Sequence, residues 1–466
     1  MLGGAALGLG LASCFGVTPY PCQQDSQCRL DGQQGWCEDE GFCSLPDDDC
    51  DGGRRFSEHA PGGLSEACVG EGGSGSTDGT SGADTAGTNG STDGGETVGV
   101  CVGEACGCAE QLVVAGSQSC AIRQDGALLC WGDNTVEGRL GFPVEGPEEV
   151  QPITAPTVVP FGESLQVTQV ALGNHGCAST SVGVRCWGRN NQGQVMPTAG
   201  GSAILGPTAP GLAQLGDADS VVVAPGWSCG LLGSGDVTCW GQLGSFGASG
   251  DDVIDLDGQA VPSPVQSIVA LREAVCVLAG DEQVWCAGNP QMGEMGLAEA
   301  VAPTSTFVLA VPSTPGLEGV GAGTLHACAW RGDQALCWGS NANLQNGSAE
   351  GPSAHSIEQP VALSFTVDRV SAGQSSSCAL GSGTAPWCWG APIPDGGPPG
   401  ADRANPTEVS WLPAAVGTIV DIGVGTVHGC ALTDTDQVWC WGSNTAGQLG
   451  VPGSDLSTPQ QVDLGC

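Results

Sequence analysis

Seven pairs of cysteines recur between residues 120 and 440 of this 466-residue chain, and this repeat constrains the fold more than any other feature. The two members of a pair lie nine or ten residues apart, and successive pairs begin 47 to 57 residues apart. A near-constant period of about 52 residues indicates a repeat fold, in which each copy packs against its neighbours. The pairs are Cys120 with Cys130, Cys177 with Cys186, Cys229 with Cys239, Cys276 with Cys286, Cys328 with Cys337, Cys378 with Cys388, and Cys430 with Cys440.

Each cysteine pair brackets a predicted β-hairpin. Apolar-rich runs flank a short polar segment, and pairing Cys120 with Cys130 leaves a three-residue loop at 124–126. Loops of two or three residues are favoured hairpin connections. Each cysteine then faces its partner across antiparallel strands, where the Cα atoms come close enough for a disulfide. We therefore predict that all seven pairs are disulfides.

Two further elements recur in each copy. One precedes the hairpin and runs into a Gly-containing bend, as in VVVAPGWSC and IGVGTVHGC, and the other is an extended run after proline, as in APTVVPF and QPVALSF. Four short strands per repeat are typical of a propeller blade, so the sequence predicts an all-β, seven-bladed β-propeller. The last extended run, TPQQVDL at 458–464, has no hairpin after it. We expect this strand to complete the first blade and to close the ring.

Composition supports the fold class and excludes several functions. The 79 glycines and 30 prolines favour short strands joined by tight turns. The net charge of −39 repels phosphate backbones, so we expect no nucleic-acid binding. The chain has no lysine, which excludes Walker-type phosphate loops and Schiff-base catalysis.

The amino terminus predicts export and a lipid anchor. Residues 1–13 are an apolar run that ends in small residues before Cys14, and Leu-Ala-Ser-Cys at 11–14 resembles a bacterial lipobox. The resemblance implies that residues 1–13 are a signal peptide and that Cys14 is lipidated and holds the protein on a membrane. Twenty-five cysteines also favour an oxidising, extracytoplasmic compartment. We expect a bacterial outer-membrane lipoprotein or another cell-surface or secreted protein. The run lacks a basic n-region, so either the true start lies upstream, which we favour, or Cys14 only ends an ordinary signal sequence.

Three segments follow the signal peptide. Residues 14–68 form a Cys-rich module that is too poor in apolar residues to fold without disulfides, and residues 69–99 are a Gly, Ser, Thr and Asp-rich linker that we expect to be disordered. Residues 100–466 contain the propeller. The pairing stays open for the cysteines of the module and for those that flank the blades: Cys22, Cys28, Cys37, Cys43, Cys50 and Cys68, and Cys101, Cys106, Cys108 and Cys466.

An acidic run in the module is the best candidate for a calcium site, because hard oxygen ligands cluster there. A solvated acidic loop is the alternative that we favour, and we expect no cofactor. The candidate ligands are Asp47, Asp48, Asp49 and Asp51.

The phrase CWGSNTAGQLG at 440–450, with HGCAL upstream and a period near 52, resembles the repeats of the regulator of chromosome condensation (RCC1) family. The resemblance covers about 109–466, is strongest in blades one, two and seven, and is eroded in blade four, which reads CAGNPQMGEMG. It implies a seven-bladed propeller. Nuclear members of this family act as exchange factors for a small GTPase and bind chromatin, but an exported chain with this net charge suits neither role.

The tryptophan after the second cysteine recurs in six copies, and Ala287 replaces it in blade four. A repeated aromatic residue could form a ladder that stacks on a ligand. We favour packing between adjacent blades, because each copy occupies the same strand position. The glycine that follows suits a close approach of backbones. The tryptophans are Trp131, Trp187, Trp240, Trp338, Trp389 and Trp441.

His175, His326 and His428 each stand two residues before the first cysteine of a pair. A metal site would require these side chains to converge. Equivalent positions in three blades are distributed around a ring, so we expect no metal site here.

The sequence contains no clear Ser/His/Asp signature, paired-carboxylate motif or Gly-rich phosphate loop. It therefore favours a non-catalytic, monomeric protein-binding scaffold. The partner would be an unknown protein or envelope component, reached through the loops that interrupt the repeat. The alternatives are an enzyme inhibitor, like the secreted RCC1-like propellers that inhibit β-lactamases, an extracellular enzyme, or a structural envelope protein. The candidate recognition segments are 141–154, 196–208, 244–260 and 392–405.

Overall fold

The computed structural model of the chain separates into two units, Met1–Gly95 and Glu96–Cys466. In the first unit the structure describes five short strands between residues 29 and 56. In the second it describes residues 108–134, 137–142, 151–162, 165–199, 201, 203–248, 253–256, 261–262, 264–290, 293–297, 302–310, 315–349, 360–391, 402–409 and 417–465. The predicted lipidation site Cys14 and the acidic run at 47–51 lie outside the described residues, and the predicted segment boundaries stay predictions.

The described strands of the first unit form two small antiparallel sheets. Strand β1 (Arg29–Leu30) pairs with β2 (Gln33–Gln34), and β3 (Trp36–Cys37), β4 (Cys43–Pro46) and β5 (Arg54–Phe56) form the second sheet. The register places Cys37 opposite Cys43.

The second unit is an all-β propeller of seven four-stranded antiparallel blades, each built from four consecutive strands. Blade 1 contains β6 (Ala109–Ala115), β7 (Gln118–Arg123), β8 (Leu128–Gly132) and β9 (Ile153–Val158). Blade 2 contains β10 (Val167–Leu172), β11 (His175–Thr180), β12 (Arg185–Gly188) and β13 (Ile204–Thr208). Blade 3 contains β14 (Ala218–Val223), β15 (Trp227–Leu232), β16 (Val237–Gly241) and β17 (Val253–Leu256). Blade 4 contains β18 (Ser267–Ala270), β19 (Ala274–Leu278), β20 (Val284–Gly288) and β21 (Thr304–Leu309).

Blade 5 contains β22 (Gly319–Ala322), β23 (His326–Arg331), β24 (Gln334–Gly339) and β25 (Val361–Ala362). Blade 6 contains β26 (Arg369–Ala372), β27 (Ser376–Leu380), β28 (Trp387–Gly390) and β29 (Arg403–Glu408). Blade 7 contains β30 (Ile419–Val424), β31 (His428–Thr433), β32 (Val438–Gly442) and β33 (Leu456–Val462). Within the described connections there are three 3-10 helices, Pro197–Ala199, Ala213–Asp217 and Leu243–Phe246. Across the described residues, no helix has the length and apolar character that a membrane span requires.

The predicted seven-bladed architecture is confirmed, and disulfides are present in the blades. In every blade the register of the second and third strands places one cysteine opposite the other. The Cα atoms of each facing pair are 4.0 to 4.1 Å apart, and a disulfide joins them. The bonded pairs are the seven that the repeat predicts. Cys108, which precedes β6, is also disulfide-bonded.

The predicted ring closure is wrong. The C-terminal strand β33 pairs with β32 in its own blade, with Cys440 opposite Gln460, and blade 1 takes its first strand from β6. The extended run after proline is therefore the outermost strand of the blade that precedes it in the sequence. A 52-residue period does not reveal where one blade ends, because the run could pair with the hairpin on either side of it.

Blades 7 and 1 are joined by packing and hydrogen bonds instead of a shared strand. The Thr426 amide donates to the Gly116 carbonyl over 2.8 Å, and the Ala109 amide donates to the Asp436 carbonyl over 3.1 Å. Side chains of both blades form one apolar cluster, in which Trp131 of blade 1 packs with Leu449 of blade 7. The ring is therefore closed by the same kind of interface that separates other blades.

The antiparallel order gives the propeller two distinct faces. The turn between the first and second strands and the loop between the third and fourth strands of each blade lie at one end, which we call the front face. The turn between the second and third strands lies at the other end, which we call the rear face. This definition follows from the consecutive, antiparallel strand order.

Candidate functional site

The six repeated tryptophans are buried between adjacent blades. Each is at most 2 % exposed, so none forms an accessible ladder for ligand stacking. The indole Nε1 of Trp131 donates to the Gln448 carbonyl of blade 7 over 3.0 Å, and that of Trp389 donates to the Gln345 carbonyl of blade 5 over 2.9 Å. Gly132 follows Trp131 with φ +110°, and a Cβ there would lie 2.4 Å from a backbone oxygen. The Trp-Gly pair therefore has a structural role in the repeat.

The three repeated histidines are also buried in blade interfaces. His175 Nε2 lies 2.7 Å from Ser228 Oγ in the next blade, and that hydroxyl donates to the Gln194 carbonyl over 2.8 Å. His326 pairs with Ser377 in the same way over 2.8 Å. His428 pairs with Ser119 across the junction of blades 7 and 1 over 2.9 Å. The histidines thus occupy three separate interfaces.

Burial sets the protonation state of these histidines. It lowers the pKa of His175 to about 3, that of His326 to about 4 and that of His428 to about 3. A serine hydroxyl satisfies one ring nitrogen of a neutral imidazole, but a charged imidazolium would be desolvated without a carboxylate. Among the described residues, no cluster of three or more His, Cys, Asp or Glu side chains could hold a metal ion.

The sequence contains a signal for these pairs that pattern reading missed. A serine directly precedes the first cysteine in blades 1, 3 and 6, and each of these blades follows a histidine blade around the ring. The two positions therefore vary together across each interface. A single repeat does not reveal this pairing, because the histidine and the serine lie in different copies of the repeat.

The Asn and Gln of the repeated phrase also have structural roles. Asn444 Oδ1 accepts from the Leu449 amide over 3.0 Å, and Gln448 Oε1 accepts from the Ala446 amide over 2.8 Å. In blade 2, Asn190 Oδ1 accepts from the Val195 amide over 2.9 Å. These side chains hold the loop between the third and fourth strands. A functional site should therefore be sought where the repeat departs from its own pattern.

The interface of blades 3 and 4 shows such departures. Ala287 replaces the repeated tryptophan, and Trp227 stands at the position that holds histidine in blades 2, 5 and 7. Trp227 is buried with Ala287 in one cluster and meets Phe246 edge to face, with ring centroids 5.1 Å apart. Trp227 therefore fills the space that the missing tryptophan leaves. Its Nε1 donates to the Arg272 carbonyl over 3.2 Å.

A polar pocket of about 420 Å³ opens at this interface on the front face. Its wall comes from front-face turns and loops of blades 2, 3 and 4. The charged side chains that line it are Arg189, Arg272 and Glu273. The side-chain amides that line it are those of Asn174, Asn191, Gln192, Gln242 and Asn289. A second cavity of about 500 Å³ runs along the propeller axis and is lined mainly by aliphatic side chains of the innermost strands.

Glu294 lies behind the polar pocket, at the position that is Gln194, Gln345 and Gln448 in other blades. The side chain is buried, and its Oε2 accepts from the Glu273 amide over 2.6 Å. Burial raises the pKa of Glu294 to about 7, and the nearby Glu273 carboxylate adds to this shift. The Gln-to-Glu change therefore places a group that titrates near neutral pH beside the pocket.

The repeat is similar to that of a known family. A model described as "Regulator of chromosome condensation (RCC1) repeat" matches residues 419–448. The ultraviolet-B receptor UVR8 of Arabidopsis thaliana is 24 % identical over 381 residues, which cover 76 % of this chain and 81 % of the receptor. The chain is an RCC1-like repeat protein. Its RCC1-like propeller also matches solved structures, human WBSCR16 with a TM-score of 0.60 and yeast Prp20p with 0.58.

These structural matches are 18 % identical and cover 72 % and 73 % of this chain and 94 % and 87 % of the matched chains, so they establish the fold alone. The RCC1-like chain is also 26 % identical over 242 residues to a probable human E3 ubiquitin-protein ligase, HERC6. That match covers 48 % of this chain but only 23 % of HERC6, and the chain spans 81 % of UVR8. The relatives of this chain thus differ in function, since one is a receptor and another is named as a probable ligase.

The predicted recognition segments lie partly on the front face. Gly244 and Ser245, from the segment 244–260, line the polar pocket. Residues 143–150, 249–252, 257–260 and 392–401, which make up much of the four segments, lie outside the described residues. The sequence did not single out Arg189, Arg272, Glu273 or Glu294. Their departure from the other six repeats was the signal available.

Proposed function

We propose that this protein is a non-catalytic protein-binding module, held at a bacterial cell surface by a lipid on Cys14. The observation that carries the binding role is the front-face pocket, where guanidinium and amide groups converge from three blades. Rigid scaffolds commonly place recognition in such loops. RCC1-like propellers bind proteins in other cases, such as yeast Prp20p, which binds Gsp1p and histones. A nuclear role is not proposed, because the net charge of −39 opposes chromatin binding.

The chemistry of the described residues favours binding over catalysis. An acid–base catalyst must reach its substrate within hydrogen-bond distance. His175, His326, His428 and Glu294 are each 0 % exposed, so the groups with the largest pKa shifts are shielded from a substrate. An inhibitory role would use the same front face, with an enzyme as the partner. It is therefore a special case of the proposed function.

The anchor is tested with the full chain produced in a bacterium that processes lipoproteins. We expect the wild-type protein to partition into detergent and to yield an acylated amino-terminal peptide that begins at Cys14. The variant Cys14→Ser should partition into the aqueous phase, because a hydroxyl cannot form the thioether link. Partitioning of both proteins into the aqueous phase, with an unmodified Cys14, would remove the anchor from the proposal.

The binding face is tested by a photo-crosslinker placed at two exposed positions of blade 2. Gln192 lines the front-face pocket, and Val182, which is 51 % exposed, lies in the rear-face turn. On intact cells, the crosslinker at position 192 should give a discrete protein adduct and that at position 182 should not. Adducts from position 182 alone would contradict the front-face assignment. If neither position gives an adduct, the structural envelope role replaces the binding role.

A further inference from the structure

The front-face pocket brings together two of the few arginines of this protein, beside the Glu273 carboxylate. The whole chain has 11 Lys plus Arg residues against 50 Asp plus Glu residues, yet Arg189 and Arg272 both line this one pocket. Their side chains remain 39 % and 53 % exposed. Guanidinium groups bind carboxylates through paired, charge-assisted hydrogen bonds. The pocket therefore offers two partly exposed anion-binding groups in an acidic molecule.

Arg272 and Glu273 also break the internal repeat. They form the turn between the first and second strands of blade 4, and the equivalent two positions in the other six blades hold uncharged residues. Packing does not require the change, since Trp227 already fills the interface that Ala287 leaves. Departures from a repeat that have no packing reason are expected at functional positions.

The turn is held rigidly. The Arg272 amide donates to the Thr324 carbonyl over 2.8 Å, and the Arg272 carbonyl accepts from Trp227 Nε1 over 3.2 Å. The Glu273 carboxylate accepts from Ser245 Oγ over 2.5 Å and lies 3.5 Å from Arg272 Nε. The guanidinium is thus held from one side while half of the side chain stays exposed. Preorganisation of this kind lowers the entropic cost of binding.

Arg189 is positioned in a similar way on the opposite wall. Its Nε donates to Asn191 Oδ1 over 3.1 Å and lies 3.4 Å from Glu137 Oε2. A guanidinium carries five N–H donors, so these contacts leave donors for a ligand. Both arginines therefore keep donor capacity.

We propose that this pocket receives an acidic side chain of a partner polypeptide, which lies between Arg189 and Arg272. The proposal deepens the protein-binding function and rests on it. The five side-chain amides that line the pocket supply donors and acceptors for the partner's backbone on either side of the carboxylate. A pocket of about 420 Å³ has room for one such side chain and its flanking peptide groups.

Glu294 makes this recognition depend on pH. Its carboxyl faces Glu273 and lies near Arg272. Above pH 7 it adds a negative charge behind the pocket, which opposes an incoming carboxylate, and below pH 7 it is neutral. We expect binding at pH 6 to be about fivefold tighter than at pH 8, the order for one screened charge–charge interaction. The variant Glu294→Gln should bind equally at both values, because Gln occupies this position in blades 2, 5 and 7.

The test uses two synthetic peptides, acetyl-Gly-Glu-Gly-amide and acetyl-Gly-Gln-Gly-amide, titrated into the full Cys14→Ser chain at low salt and followed by NMR. The Glu peptide should bind about tenfold more tightly than the Gln peptide, as expected for a charge-assisted hydrogen-bond pair. Arg272→Gln and Arg189→Gln should each remove this preference. Arg331→Gln, which removes the same charge on the rear face, should retain it.

Equal binding of the two peptides, or an unchanged preference in Arg272→Gln, would overturn the proposal. The crosslinking experiment separates this failure from failure of the binding function. If the adduct at position 192 persists in the double variant Arg189→Gln, Arg272→Gln, a partner binds the front face without the carboxylate contact. If the adduct is lost in the double variant but kept in Arg331→Gln, the carboxylate contact is supported in the cell.

Discussion

Lowering the pH from 7 to 4 is expected to destabilise the folded propeller sharply, because three buried histidines resist protonation. Their pKa values fall from 6.5 to about 3 for His175 and His428 and to about 4 for His326. Between pH 6.5 and 4 the unfolded chain therefore binds protons that the folded chain does not bind. The contribution of the neutral histidines to the unfolding free energy is complete above pH 6.5 and is lost as the pH falls. The slope approaches about 1.4 kcal/mol per pH unit for each histidine, or about 4 kcal/mol for three. Urea denaturation at pH 7, 6, 5 and 4 measures it.

Two carboxyls, those of Glu294 and Asp421, act in the opposite direction, because burial raises the pKa of each above its usual value. Burial raises the pKa of Glu294 from 4.5 to about 7, so the folded state binds this proton first and gains stability as the pH falls through that range. The dependence of the unfolding free energy on pH that the histidines cause should therefore be measured in the Glu294→Gln background.

A double variant isolates one histidine. His428→Ala with Ser119→Ala copies the pair Ala274 and Ala327, which occupy the equivalent positions between blades 4 and 5. A cavity should lower the stability at pH 7, but the slope between pH 6 and 4 should fall by about a third, because two of three histidines remain. A slope identical to that of the parent would show that His428 is not the titrating group.

Replacing Trp131 by alanine is expected to cost about 3 to 5 kcal/mol of unfolding free energy. Trp131 is 0 % exposed, packs in the cluster that joins blades 7 and 1, and donates to the Gln448 carbonyl. Because each of these two blades is built from its own four described strands, this packing contributes to ring closure. Urea denaturation at pH 7 measures the loss.

Trp439→Ala is the matched control for this variant. Trp439 lies one residue before Cys440 on the neighbouring blade and is only partly buried, so its loss should cost clearly less. An equal cost for both variants would mean that inter-blade packing is not what Trp131 contributes. A change in the urea dependence for Trp131→Ala would further indicate that the ring opens before the blades unfold.

Much of the fold was predictable from the repeat. The regular spacing of Cys120 and Cys130, with six similar pairs, implied short hairpin loops and facing cysteines, which are local properties of antiparallel strands. The structure contains these seven disulfides. The burial of Trp131 and its counterparts followed from the same periodicity.

The closure of the ring and the candidate site were not predictable in the same way. The strand β33 could pair with either adjacent hairpin as far as the sequence indicates, and only the structure assigns it to blade 7. The substitutions at Arg272 and Glu294 are visible in the repeat, but their convergence with Arg189 depends on three blades meeting at one face.

The sequence by itself therefore determined the repeat unit, the all-β class and the facing cysteine pairs, because these depend on contacts between residues close together in the chain. The tertiary structure decided which strand ends each blade, which serine each histidine meets, and which charged residues share a pocket. These outcomes depend on contacts between residues about 50 to 300 positions apart, such as His175 with Ser228 and Ser119 with His428. The period of the repeat gives the order of such residues around the ring. It does not show which side chains meet across the interface between two adjacent blades.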